Sequence, residues 1–202
     1  MPYPDRFYPV VDSVAWVARL ARLGTGTIQL RVKDLTHAAA LALVREALAA
    51  AGPARLVVND YWHAAIEAKA QHLHLGQEDL ATADVAAIRR AGLTLGLSTH
   101  DEAELDRAMS HDPDYVALGP IYPTTVKPMR AGPQGLARIT QWKKLIGATP
   151  LCAIGGITLE RAGAVYAAGA DSIAVVTDIT RNADPDARVR AWLAADPASA
   201  AA

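Results

Sequence analysis

Asn59-Asp60, His74-Leu75-Gly76-Gln77-Glu78-Asp79, Ser98-Thr99-His100 and Gly119-Pro120-Ile121-Tyr122-Pro123-Thr124-Thr125-Val126-Lys127 follow one another between residues 59 and 127. Each cluster starts where a short, mostly apolar run ends, and each run reads as a β-strand. Polar groups therefore collect where successive strands finish. In a barrel of parallel strands that edge is the catalytic face. Two acids and several cations gathered there suit a phosphate-bearing substrate with Mg²⁺.

The same rhythm extends in both directions. Strands are expected at residues 7–11, 27–33, 55–59, 72–75, 93–98, 115–119, 150–154 and 172–177. Helices are expected at 13–23, 36–51, 61–70, 84–90, 101–110, 135–146, 159–168 and 185–194, with Ser13 capping the first. Most strand runs are continuously apolar rather than alternating, as in sheets covered by helices. Eight βα units without a domain-sized linker predict the α/β class, as a single (β/α)₈ TIM barrel over residues 1–195. Residues 196–202 read as a frayed tail of mostly small residues. A doubly wound open sheet is the alternative. It wants a glycine-rich turn after strand one, and Val11-Asp12-Ser13 does not supply it.

Composition narrows the function classes. A 202-residue chain that is 51% hydrophobic and 20% charged has enough apolar matter for one full core. Its net charge of −1 gives no reason to expect nucleic acid or an anionic membrane surface as partner. Cys152 is the single cysteine, which rules out an internal disulfide framework and fits a reducing cytoplasm. No apolar stretch is long enough for a bilayer, and the first residues lack the pattern of a signal peptide. A homo-oligomer is left open.

Gln29, Arg31 and Lys33 are spaced by two, so on a strand they share one face, opposite Ile28, Leu30 and Val32. With the apolar row against helices, the polar row faces the interior. It is read as an anion site, Arg31 offering its fork and Lys33 a point charge. The competing reading is an internal network with Asp60 or Asp79. Those two acids end neighbouring strands and together suit Mg²⁺. Singly, Asp60 reads equally as a helix N-cap and Asp79 as a turn residue. Asn59 is placed to donate to a substrate or to orient Asp60. His72 and His74 share a strand face, but no further ligands match a zinc site, and His74 reads as an interior histidine with its bonds satisfied.

Gly155 and Gly156 end strand seven, and Val176-Thr177 end strand eight. A phosphate often sits between those loops in such barrels, and bare glycine amides permit its close approach, although a tight turn explains the glycine pair equally. The long connection of residues 120–133 carries Thr124, Thr125, Val126 and Lys127. Such loops often act as lids. At the mouth, Lys127 and Ser98 read as diphosphate ligands. Cys152 reads as core.

Taken together, Gln29-Leu30-Arg31-Val32-Lys33, Asn59-Asp60, the 74–79 run, Ser98-Thr99-His100, Gly119 to Thr124, Lys127, Ala153-Ile154-Gly155-Gly156-Ile157 and Ala174-Val175-Val176-Thr177 resemble the thiamine-phosphate synthase family in order and spacing. The resemblance implies a transferase that joins 4-amino-2-methyl-5-(diphosphooxymethyl)pyrimidine to 4-methyl-5-(2-phosphoethyl)thiazole, giving thiamine phosphate and diphosphate. It implies Mg²⁺ on Asp60 and Asp79. Gln29, Arg31, Lys33, Asn59, Ser98 and Lys127 would meet the pyrimidine diphosphate. Thr124, Thr125, Val126, Gly155, Gly156, Val176 and Thr177 would meet the thiazole phosphate. Ser98, Arg31 and Lys127 would be the catalytic groups in a dissociative loss of diphosphate.

The chain departs from the family pattern in three places. Val32 replaces a glutamate on the outward face. The Thr-Pro-Thr-Lys loop becomes Thr124-Thr125-Val126-Lys127. Val176-Thr177 stands where Val-Ser is usual, which keeps the hydroxyl. A thiazole tautomerase-like paralogue would not need Asp60, Asp79 and Lys127 together, and a non-catalytic thiamine-phosphate-binding barrel would not need to stabilise a leaving group. A barrel acting on some other phosphate would explain Gly155, Gly156 and Thr177 but not the acids and cations of the mouth.

Overall fold

In the computed structural model, which describes residues 3–124 and 132–195, the strand and helix runs alternate as follows. The order is β1 (Phe7–Val11), α1 (Val14–Arg22), β2 (Thr27–Leu30), α2 (His37–Ala51), β3 (Arg55–Asn59), α3 (Trp62–Glu67), β4 (His72–Leu75), α4 (Gln77–Leu80), α5 (Val85–Arg90) and β5 (Thr94–Thr99). It continues with α6 (Glu102–Met109), β6 (Tyr115–Leu118), α7 (Gly135–Ile146), β7 (Leu151–Ile154), α8 (Leu159–Ala167), β8 (Ser172–Val175), α9 (Thr177–Thr180) and α10 (Pro185–Ala194). Each strand pairs in parallel with the next, and β8 closes on β1. The open-sheet alternative is thereby excluded.

Alternation along the strands makes two cores. Ile28, Leu30, Leu56, Val58, Leu73, Leu75, Leu95 and Leu97 point outward and pack under the helices with the fully buried Trp142. Tyr8, Val10, Val57, Tyr115, Ala117, Cys152 and Ala174 fill the barrel itself. Burial pushes the Cys152 thiol up to about 12, so it behaves as plain core. Where indoles are buried their N–H groups are met: Trp142 donates to Thr99 Oγ1 at 3.0 Å. Below the strands, the Asp5 carboxylate accepts from Thr27 Oγ1 and from Arg55, each at 2.8 Å, which pins the incoming chain across the barrel floor.

Two strands stop earlier than the sequence suggests. The expected 27–33 strand ends at Leu30, because β1 ends at Val11 and its carbonyl takes the last rung, from Arg31 N–H at 2.8 Å. The chain then turns through Asp34 at φ 60°. Val32 still packs on the outer core, as its outward placement required. At the other end, the expected 172–177 strand ends at Val175, and Thr177 opens the one-turn helix α9. Ser13 does cap α1, accepting from Trp16 N–H.

Candidate active site

The acids meet at the C-terminal rim. Asp60 takes the last rung between β3 and β4, its N–H donating to His74 O at 2.9 Å, and holds φ 65°. Asp tolerates that left-handed conformation better than most residues. It does not cap α3, whose N-cap is Tyr61. Its carboxylate instead pairs with Lys33 Nζ. Asp79 sits in the single turn α4, where Glu78 and Asp79 both occupy the first turn. Burial and the adjoining Asp60 carboxylate push Asp79 up to about 6, while Lys33 opposes the rise. Asp60 and Asp79 share a cleft of about 290 Å³ with Tyr61, Trp62, His63 and Thr82.

Asn59 is the interior-facing end of β3, in register with His74. It is 4% exposed, and its Nδ2 has no hydrogen-bond partner among the described residues. A buried donor without an acceptor is costly, and a ligand oxygen or ring nitrogen over the mouth would satisfy it. Gln29 faces the interior as expected and donates to the Tyr8 hydroxyl at 2.7 Å. Arg31 and Lys33, beyond the strand, stand half-buried and exposed at the rim rather than inside the barrel.

Ser98 Oγ lies 2.8 Å from His74 Nε2, and its carbonyl accepts from Gln77 Nε2 at 2.7 Å. Gln77 is itself held by Arg107 at 2.8 Å. His74 Nδ1 meets the Tyr115 hydroxyl at 2.8 Å. Both ring nitrogens are satisfied within the barrel. His72 turns to Thr94 Oγ1 at 2.8 Å and stacks on Tyr3, so the two histidines form no metal pair.

Burial pushes the His74 imidazole down to about 4, against the Asp60 charge and helped by Arg31. The unfolded chain therefore binds a proton near pH 6.5 that the folded protein refuses until about 4. The linked stability is present above the unfolded value and is lost as pH falls through that window. We expect a loss of roughly 2–3 kcal/mol between about pH 7 and pH 4.5. Asp79 acts with the opposite sign, since its raised value favours the fold at low pH. Urea midpoints of the wild type minus those of His74→Gln, measured across pH, isolate the histidine; a flat difference would refute the assignment.

Strands β7 and β8 build the other side of the mouth. Gly155 and Gly156 have φ 100° and 64°. A Cβ on Gly155 would come within 2.6 Å of Pro120 Cα, and one on Gly156 within 2.9 Å of Tyr122 Cβ. The glycines thus serve the close packing of the β6 loop, with Tyr122 N–H donating to Gly155 O at 3.0 Å. Val176 is the N-cap of α9 and Thr177 its first residue. Asp178 anchors that turn, taking Arg188 Nε at 2.8 Å and Trp192 Nε1 at 2.7 Å. A short extra helix after strand eight is where barrels of this kind often seat a phosphate. Thr124 closes the first described stretch; Thr125, Val126 and Lys127 lie outside the described residues.

Sequence reasoning missed Tyr8 and Tyr115, whose hydroxyls meet inside the barrel at 2.9 Å. It also missed Arg161, which donates to Gly156 O at 2.6 Å and covers the Tyr122 ring. The tyrosines lie in runs that read as apolar core; their position on the inward alternate face was the available signal.

Fold and site define a (β/α)₈-barrel enzyme whose acids, cations and hydroxyls converge on the C-terminal rim. Residues 7–179 match the family model described as thiamine monophosphate synthase, and the chain belongs to that family. It is 56% identical to the thiamine-phosphate synthase of Rhizobium etli over 95% of both chains. It is 50% identical to that of Neisseria meningitidis over 95% of this chain and 94% of the relative. Among solved structures, thiamine phosphate pyrophosphorylase from Pyrococcus furiosus superposes with a TM-score of 0.80 at 24% identity, covering 92% of each chain. A 3-hexulose-6-phosphate synthase superposes at 0.70 and 16% identity, covering 92% of this chain and 97% of its own, so the likeness there is of fold. Among the described residues no helix is long and apolar enough to cross a membrane.

Proposed function

We propose that this chain condenses the pyrimidine diphosphate with the thiazole phosphate to give thiamine phosphate and diphosphate. The observation that carries the reading is the rim cluster of Asp60, Asp79 and Lys33 beside Asn59, whose Nδ2 has no partner among the described residues. A thiazole tautomerase would leave that cluster without a task.

The C–O bond to the leaving diphosphate breaks first and its electron pair departs with the diphosphate. The thiazole nitrogen lone pair then closes the new C–N bond. No strong base is needed, because no C–H bond is broken. The need is for positive charge on the leaving oxygens, which Arg31, Lys33 and Lys127 supply with Ser98 donating a hydrogen bond. Asn59 and Gln29 orient the pyrimidine. Thr124, Thr125, Val126, Gly155, Gly156, Val176 and Thr177 hold the thiazole phosphate in line.

Two carboxylates close enough to raise one of them suit a hard divalent cation, so Asp60 and Asp79 fit Mg²⁺. When bound there, it would add charge to the diphosphate oxygens. Mg²⁺ must displace the proton that Asp79 holds below about pH 6. Its apparent affinity, measured calorimetrically without substrate, is expected to fall about tenfold per pH unit below that point. Asp79→Asn should remove the slope, and an unchanged slope would exclude Asp79 as the ligand.

The reaction itself is tested by diphosphate release from purified protein with both substrates and Mg²⁺, each omitted in turn. Release that needs all three, with an equal amount of thiamine phosphate, supports the synthase. No release from folded protein would overturn it.

A further inference from the structure

Inside the barrel runs a chain of hydrogen bonds whose middle members, Tyr8, Tyr115 and His74, have no part in the condensation as described. Gln29 Nε2 donates to the Tyr8 hydroxyl at 2.7 Å; Tyr8 and Tyr115 hydroxyls lie 2.9 Å apart; Tyr115 lies 2.8 Å from His74 Nδ1; His74 Nε2 lies 2.8 Å from Ser98 Oγ. Gln29, Tyr8, Tyr115 and His74 are at most 6% exposed. Only Ser98, at the mouth, is half-buried.

Proton counting gives this chain a direction. An amide nitrogen only donates, and each hydroxyl has one proton. With the Gln29 amide placed Nε2 toward Tyr8, the Tyr8 oxygen accepts from it, and the Tyr8 proton has only the Tyr115 oxygen to go to among the described residues. Tyr115 in turn donates to His74 Nδ1, which must be bare. The imidazole proton is then on Nε2 and points to Ser98 Oγ. The reverse order, with the proton on Nδ1, sends both Gln29 and Tyr115 into the Tyr8 oxygen. It leaves the Tyr8 proton buried with no acceptor among the described residues. A doubly protonated ring fails in the same way. Both alternatives incur the cost of an unsatisfied buried donor.

We propose that Tyr115 is a positioning residue that fixes the His74 tautomer and thereby makes Ser98 an outward hydrogen-bond donor to the leaving diphosphate. With its oxygen occupied by His74 Nε2–H, Ser98 turns its own proton to the mouth, where an anion receives it. The polarisation of linked donors strengthens that bond. Tyr115 reaches His74 across β5 because the strand residue between them is Gly96, whose Cβ would collide with the Tyr115 ring. The ring also lies against the imidazole at 5.5 Å and 24°. The acceptor's identity rests on the synthase reading; the direction of the chain does not.

Imidazole ¹⁵N spectra of the wild type are expected to show His74 protonated on Nε2 and bare on Nδ1. A proton on Nδ1 overturns the relay, whether or not the protein turns over. Tyr115→Phe keeps the ring over Gly96 and should lose the single tautomer. Its kcat should fall roughly tenfold, the size of one hydrogen bond to a charged group, with both KM values within about twofold. In a Ser98→Ala background the same change should cost no further rate. Additive losses in that pair would show that Tyr115 does not act through Ser98. Tyr8→Phe leaves Tyr115 still donating to His74, so it should retain the tautomer; a switch to Nδ1–H would also refute the scheme.

Discussion

Asp60→Ala is expected to lower diphosphate release about a thousandfold while the barrel stays folded. Among the described residues, the carboxylate pairs with the cation Lys33 and adjoins the second acid, Asp79. Its loss removes a Mg²⁺ ligand and unhooks Lys33 together. The fold should tolerate the change. The rung from residue 60 to His74 is made by the backbone N–H, which remains. Lys33 has a side chain 46% exposed, so its ion pair is worth at most about 1 kcal/mol and water can replace it. The left-handed φ of 65° costs alanine about 1–2 kcal/mol more. Asp60→Asn separates these terms: it tolerates the backbone and removes the charge with its ion pair, so it should match the rate loss while melting falls by no more than about 2–4 °C. In either variant Asp79 should titrate lower, having lost a like charge. Turnover within tenfold of wild type would exclude the acid from the leaving-group site.

The barrel could be read in the sequence because eight apolar runs, each followed by polar residues, admit few other arrangements. Where strands stop is less legible. Arg31 and Lys33 continue the alternation of Gln29, yet the strand ends at Leu30 because its neighbour ends at Val11. Strand length in a barrel is set by pairing with neighbours, which local pattern does not encode. Of the polar row, only Gln29 faces inward, and Lys33 meets Asp60 from the rim. The Lys33–Asp60 pair is the network reading of that row, while its anion site belongs to the proposed function. Thr177 illustrates the same limit at the opposite side, where a strand residue by pattern is a helix residue in fact. The directional chain from Gln29 to Ser98 was hidden for another reason. Tyr8 and Tyr115 count as core by hydrophobicity, and only the closed barrel brings their hydroxyls within 2.9 Å across 107 residues of sequence.

Gly156→Ala should separate the two ends of the site. A Cβ there would sit 2.9 Å from Tyr122 Cβ and 3.0 Å from the Tyr122 carbonyl carbon, and closer still to Pro123 O. Backbone is among the colliding atoms, so no rotamer change relieves it. The φ of 64° adds about 1–2 kcal/mol and the overpacking about 1–3 more, for a loss of roughly 2–5 kcal/mol and a melting point lower by about 4–20 °C. The 122–124 segment must move away, and Thr124, with the Arg161 contacts to Gly156 O and the Tyr122 ring, moves with it. Those groups face the proposed thiazole-phosphate end. Nothing in the Asp60, Asp79 and Lys33 cluster touches Gly156. The KM for thiazole phosphate should therefore rise at least about tenfold, while the KM for the pyrimidine diphosphate and the Mg²⁺ dependence stay near wild type. Gly163, in α8, has nothing within 4 Å of the place a methyl group would occupy, so Gly163→Ala is the control for adding a methyl without a clash. An equal rise in both KM values for Gly156→Ala would mean that the glycine turn serves the whole mouth, and would withdraw the phosphate from the β7–β8 corner.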